Sequence, residues 1–430
     1  MKARKGALDQ SIVPLEGSFR ALPPATPSPA LLNANQSITV SIRLRRKKPI
    51  ESLIQERQNI SREEYERLYA CSEADIALVT NFARQHHLSI SSISIARRTV
   101  QLTGRIRDME AGFNVHLNNF LLPGGREFRG RTGHILVPAF LAGIVEGIFG
   151  LDNRPAAHTH HRVAKQGIRA FLPSKSLPGL NPRDVARAYR FPPGVSGKGQ
   201  SIAIIELGGG FRNADLETYF KALGLGVPVV NSVGVDGAGN QPAGSADGPD
   251  GEVLLDIEVA GAVAPAAQIA VYFAPNTDQG FLNAITTAIH DTVRKPSVIS
   301  ISWGAAETAW TGQSMKSFNE AFKTAAALGV TICAAAGDDG SGDRVGDGKV
   351  HVDFPASSPY VLACGGTRLE LNKQTIVSET VWNDSAKGEG AGGGGISDFF
   401  PVPDYQQKIK LPVAMTSKFK GRGVPDVAGN

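Results

Sequence analysis

The sequence predicts two domains of different class: a small α+β sandwich in front and a parallel α/β sheet behind. Three observations predict this. The front strands alternate apolar with polar residues, whereas the later strands are continuously apolar. Single helices separate the later strands, as a doubly wound sheet requires. The charge also changes sign. Residues 1–170 hold 24 Lys and Arg against 14 Asp and Glu, a net +10, and the remainder holds 21 against 26, a net −5.

Residues 1–35 are polar, contain "LPPATPSPA", and read as a flexible arm. "ITVSIRL" sets Ile38, Val40, Ile42 and Leu44 against polar neighbours, the pattern of a half-buried strand. "SREEYERLYACSEADIALVTNFARQHH" reads as one helical stretch, with capping-box spacing at Ser61 and Glu64. "LSISSISI" and "RTVQLTG" are strands, "RIRDMEAGFNV" a short helix and "HLNNF" a further strand. "PAFLAGIVEGIFGLDN" reads as a helix opened by Pro138. The order β-α-β-β-α-β over 36–153 describes a ferredoxin-like sandwich. Residues 154–182 are basic, His-rich and punctuated by Pro, so they read as a linker open to processing, with "HTHH" as a solvated tail rather than a metal site.

From residue 183 the text changes. "SIAIIEL", "QIAVYFA", "SVISISW", "VTICAAAG" and "YVLACGG" are apolar strands. "NADLETYFKAL", "EVLLDIEVAGAV", "GFLNAITTAIHDTV" and "SMKSFNEAFKTAAALG" are the helices between them. Ligands of such sheets bind outside the carboxyl ends of the strands. Glu206 ends the first strand, Ser302-Trp303-Gly304 ends "SVISISWG", and Asp338 follows "VTICAAAG". Glu252 and Asp256 stand four apart in "DGPDGEVLLDIEVAGAVAP", one turn apart on one helix face. They read either as a solvated acidic turn favoured by the helix dipole or as a working pair.

Several classes are set aside. No run of about 18 apolar residues suggests a membrane span, and the N-terminus shows no apolar signal-peptide region. Cys71, Cys333 and Cys364 stand singly, with no metal spacing, and the latter two read as buried thiols. "RLRRKK" (43–48) lacks interleaved aromatics, so nucleic acid is not the expected partner. Gly208-Gly209-Gly210 has neither dinucleotide spacing nor a Walker Lys. Of nine His, only His290 and His351 lie beyond residue 161, so a His-based hydrolase is poorly supplied. A nucleophile here would need a carboxylate base. Glu252 is the candidate, Asp256 would share its proton, and a protonated Asp338 would donate to an oxyanion, all suited to acid.

"GPDGEVLLDIEVAGAVAP", "SVISISWG", "AAAGDDGS", "HVDFPASSPYVLACGGT" and "RGVPDVAGN" closely resemble the sedolisins, acid-acting serine-carboxyl peptidases. The resemblance implies a subtilisin-like peptidase domain over 183–430. It also implies that the front domain is a propeptide, acting as inhibitor and folding aid and bound to its own catalytic domain. The Glu base falls on Glu252, its Asp partner on Asp256 and the oxyanion Asp on Asp338. Glu206 and Trp303 match residues that extend the network around the Glu. Ser302, Gly304 and Asp353 fall in the substrate cleft. The family's nucleophilic Ser, in "GTSAxxP", has no counterpart in these residues, so a chain truncated before it and inactive as written is expected. A calcium ion is implied too, with ligands beyond Asn430. A secreted monomer acting on polypeptides follows from the same likeness. The alternative is a catalytically dead homologue that binds peptide. Opposite charge on the two parts is expected to hold the front domain in place near neutrality and to weaken in acid.

Overall fold

The computed structural model describes residues 9–21, 25–161 and 180–430. The greater part of the 154–182 linker expected to carry the processing bond lies outside the described residues. The chain divides into two compact units. One is Met1–Pro155 with Thr277–Leu282 and Thr311–Leu328, and the other is Ala156–Asn276 with Asn283–Trp310 and Gly329–Asn430.

The first unit is built on a four-stranded antiparallel sheet in the order Ser89–Ser94, Thr99–Arg105, Ser37–Leu44, Val145–Phe149. Helices Glu73–Gln85 and Ile106–Phe113 contribute Val79, Phe82, Met109 and Phe113 to its core, against Val40, Ile42, Val100 and Leu102. This is the expected sandwich, with four corrections. The fourth strand is Val145–Phe149 rather than "HLNNF". Leu117–Leu121 pairs instead with Glu127–Arg131 and Thr26–Pro27 in a separate small sheet. The helix opened by Pro138 covers only Ala139–Ala142. Gly143 and Gly147 weaken its continuation, and β-branched Ile144, Val145 and Ile148 favour the strand. The long helical stretch is two helices, Arg62–Leu68 and Glu73–Gln85, each with its own cap. Ser61 Oγ accepts from Glu64 N at 3.1 Å and Ser72 Oγ from Asp75 N at 3.1 Å.

The arm is ordered where described. Ile12–Pro14 pairs with Leu136–Pro138, Leu15 is buried in the core, and Arg20 Nη2 donates to Asp278 Oδ2 at 2.6 Å. Part of the basic surplus of the front is internal. Arg43, Arg98 and Arg131 are buried. Arg46 bonds the Glu320 carboxylate and, at 2.7 Å, Thr324 Oγ1 on the helix Gly312–Ala327.

The second unit carries a mainly parallel sheet in the order Val229–Gly234, Gln268–Phe273, Ser201–Glu206, Val298–Ile301, Thr331–Ala335, Leu362–Asn372. Val427–Gly429 pairs parallel with the last of these and Thr375–Val381 antiparallel. Ser201–Glu206 is the first of these strands in the chain yet lies inside the sheet. Connections leave it in opposite directions, so the switch point, where such sheets bind ligands, lies at its carboxyl end. Cys333 and Cys364 are only partly buried, against expectation. Along Thr331–Ala335 burial alternates, and Cys333 falls on the less covered face with Thr331 and Ala335.

The helix Pro249–Val263, which carries the acidic pair, is seated by close packing. At Gly261 a Cβ would stand 2.7 Å from Phe220 Cζ and 2.9 Å from Pro228 Cγ. Ala is the better helix former by about 1 kcal/mol, yet overpacking costs about 1–3 kcal/mol. Gly261→Ala is therefore expected to lower the urea midpoint, read by circular dichroism at unchanged m-value.

Candidate active site

Backbone geometry brings three elements to the switch point. Glu206 is the last residue of its strand and is fully buried. Trp303 Nε1 donates to its Oε2 at 2.8 Å. Ser302, after the strand Val298–Ile301, places its Oγ 2.9 and 2.8 Å from the two oxygens of Asp256. Asp250 fixes the start of the acidic helix, because its carboxylate accepts from Gly210 N at 2.9 Å and Gly244 N at 2.6 Å. Gly208-Gly209-Gly210 thus serves to dock a helix start. Two residues on, Glu252 is buried at 2% exposure. The reading of a solvated acidic turn is thereby excluded.

The acids crowd one another. Burial, with the Asp256 and Glu252 charges, pushes Glu206 well above the usual carboxylate range, against the Trp303 hydrogen bond. Burial and the Glu252 charge push Asp256 up to about 8, opposed by the Ser302 hydroxyl and the His161 imidazole. Like charges at close range cannot all ionise, so this cluster holds protons at neutral pH.

The segment Ala156–His161, part of the expected linker, enters the crevice. Asn276 fixes its start: Oδ1 accepts from Ala156 N and Ala157 N, each at 3.0 Å, and Nδ2 donates to Ala157 O at 2.7 Å. His158 and Thr159 then pair antiparallel with Gly304 and Trp303, and His160 N donates to Ser302 O at 3.0 Å. The chain lies along Trp303–Ala306 as an added strand, the way an extended peptide is held by β-augmentation.

His160 and His161 meet the acids from this strand. His160 Nε2 lies 3.1 Å from Asp353 Oδ2, with the imidazole 1% exposed. Burial disfavours its imidazolium, but Asp353, Asp338 and Asp343 outweigh that and raise it to about 9. His161 Nδ1 stands 3.2 Å from Glu252 Oε2, and its Nε2 stands 3.2 Å from Ala246 O. One ring nitrogen faces a carboxylate and the other a carbonyl, the arrangement an imidazolium satisfies. Its pKa is accordingly raised, chiefly by the Glu252 hydrogen bond. Two glycines admit this packing. A Cβ on Gly251 would stand 2.7 Å from His161 Nε2, and one on Gly304 would stand 2.1 Å from Asp353 Oδ1.

The structure therefore pairs Glu206 with Trp303, Asp256 with Ser302, Glu252 with His161, and Asp353 with His160. Asp338 joins His160 and His161 in lining a cavity of about 350 Å³ with Leu255, Trp382, Asp384 and Glu389. The expectation that "HTHH" is a solvated tail is corrected. Sequence reasoning also missed Asp343, which is 4% exposed and raised to about 7 by burial and by Asp353. The available signal was period-two alternation: His158 and His160 share a strand face, with ring centroids 5.2 Å apart.

Comparison with known proteins agrees with this architecture. A family described as "Pro-kumamolisin, activation domain" matches residues 29–154, and one described as "Subtilase family" matches residues 235–399. Kumamolisin of Bacillus sp. (strain MN-32) is 47% identical over 430 residues, covering 97% of this chain and 78% of its own length. Sedolisin of Pseudomonas sp. (strain 101) is 27% identical over 398 residues, covering 86% and 67%. A solved structure of Pseudomonas sedolisin, a serine-carboxyl proteinase complexed with pseudo-iodotyrostatin, superposes with a TM-score of 0.50 at 27% identity, over 58% of this chain and 70% of that one.

Two pH effects follow. Asp256 and Glu206 are raised in the fold, so the stability they contribute is complete below the unfolded carboxylate pKa of about 4. It is lost as pH rises through about 8 for Asp256. Thermal scans are expected to show Tm falling on the alkaline side, and Asp256→Asn should flatten that fall. His160 should titrate near 9 by imidazole nitrogen NMR. In Asp353→Asn, burial meets weaker opposition and the titration should move well down.

Proposed function

Because the chain belongs to the sedolisin family of serine-carboxyl peptidases, we propose that its strand-end crevice hydrolyses peptide bonds in polypeptides in acid, with a carboxylate in place of a histidine base. Glu252 is the general base in this reading. It takes the proton of a serine hydroxyl as the oxygen attacks the scissile carbonyl, then returns it to the leaving amine. Asp256 shares the proton and steadies Glu252, while Glu206 with Trp303 extends the network. Asp338, protonated, donates to the oxyanion of the tetrahedral intermediate, and water then releases the acyl group. The observation that carries the reading is the buried acid cluster at the switch point, with Asp256 raised to about 8.

The substrate would lie as Ala156–His161 lies, paired to Trp303–Ala306, with Ser302 and Gly304 beside its main chain and Asp353 beneath one side chain. The front unit, matched by the activation-domain family, would hold this segment in the precursor. We place the nucleophilic Ser outside the 430 residues, together with the calcium ligands. Among the described residues, no group of three or more His, Cys, Asp and Glu could hold a metal. Extracellular action as a monomer belongs to the same proposal; no helix among the described residues is long and apolar enough to cross a membrane. A second reading, a homologue that binds peptide without cutting, has in its favour that an extended strand already fills the crevice, with His158 and Thr159 paired to Gly304 and Trp303. On either reading residues 1–430 alone should not turn over substrate.

The test is kcat/KM against pH on a denatured protein substrate, using the reading frame extended to its stop codon. An acid optimum is expected, and an optimum near neutrality or above overturns the carboxylate-base mechanism. Glu252→Gln should remove nearly all activity with the fold intact, and Asp338→Ala should cost about 10²–10³-fold in kcat. A stop codon reached without the serine motif favours the silent homologue.

A further inference from the structure

Residues 405–420 read "YQQKIKLPVAMTSKFK": four lysines, no acid, and apolar side chains between them. Scattered exposed apolar residues need no explanation, but here they are gathered in one loop. Tyr405 is 55% exposed, Ile409 57%, Met415 70% and Phe419 36%. Lys408, Lys410, Lys418 and Lys420 are exposed as well.

The loop is pinned from below. Gln406 is buried; its Nε2 donates to Gly423 O and its Oε1 accepts from Gly423 N, both at 2.9 Å. Ala414 is buried, its N donates to Phe419 O at 2.8 Å, and Lys418 N returns a bond to Ala414 O at 3.0 Å. Tyr405 OH donates to Pro359 O at 3.1 Å. The backbone is thus fixed while Ile409 and Met415 stand exposed, with Lys408 and Lys410 beside Ile409 in the chain and Lys418 and Lys420 shortly after Met415.

We propose that this loop docks the protein on an anionic phospholipid surface. Long aliphatic and aromatic tips sink to the headgroup boundary, and Lys stems lie along apolar surface while their heads meet phosphate. An acidic polypeptide would complement the lysines too. In acid, however, its carboxylates become neutral, whereas a phosphodiester keeps its charge; this choice of partner rests on the acid-acting reading above. Attachment would be peripheral and reversible, because each Lys contributes only about fivefold in partition.

The test is co-sedimentation of the 430-residue chain with vesicles of phosphatidylcholine alone and of phosphatidylcholine mixed with phosphatidylglycerol. It is run at neutral and acid pH and at rising salt, with soluble polyglutamate as competitor. Salt-sensitive binding to the anionic vesicles alone is expected at both pH values. The double variant Lys408→Gln/Lys410→Gln should lower partition roughly 25-fold. Met415→Asp should lower it at every salt concentration, with circular dichroism unchanged. No binding, equal binding by the variants, or polyglutamate displacing the vesicles at neutral pH overturns the proposal. The neutral arm needs no peptidase activity, so failure here is distinct from failure of the catalytic reading.

Discussion

Three carboxylates housed at one strand end, with scant positive charge, are the constraint on which the second unit is built. Glu206, Glu252 and Asp256 lose most of their water on folding, and desolvated like charges are tolerated only when donors and protons replace it. The fold supplies both. Trp303 gives an indole N–H to Glu206 and Ser302 a hydroxyl to Asp256. The remaining charge is relieved by retained protons. The parallel sheet makes this arrangement possible, because its apolar strands set Glu206 and Ser302 at neighbouring carboxyl ends. The helix Pro249–Val263, docked by Asp250, aims its acidic turn at the same point.

The front unit meets a similar difficulty with the opposite sign. Part of its surplus of Arg lies inside, where Arg43, Arg98 and Arg131 are buried. Arg131 donates to the carbonyls of Gly133 and Ser18, and Arg98 Nη1 donates to Leu44 O and the Glu146 carboxylate. Net charge counts residues without regard to depth. Here part of the positive charge serves to tie turns and strand ends together, and Arg46 reaches Glu320 on a helix from far along the chain.

What was legible in the sequence follows the range of the signal. The apolar runs marked the parallel strands, and the four-residue spacing put Glu252 and Asp256 on one face, because both signals are local. The strand Val145–Phe149 was hidden because Pro138 and a dense apolar run imitate a helix start, and only pairing with Ser37–Leu44 decides otherwise. The ordered arm was hidden because its strand is three residues long and its partner lies over 120 residues away. His160 and His161 were the largest omission. A basic, Pro-punctuated stretch reads as solvated until the acids that bury it are known, and those acids lie 91 or more residues downstream.

That buried strand belongs to the same covalent chain as the crevice it fills. Its histidines face carboxylates, and His160, raised to about 9, is already charged at neutral pH, so mild acidification adds nothing to its hold. A tethered ligand meets its site at an effective concentration on the order of millimolar. Once the backbone is severed beyond His161, the same residues compete only at the bulk concentration of the protein. The change from occupied to open is then governed by dilution, and a concentrated solution of cut molecules would remain closed longer than a dilute one.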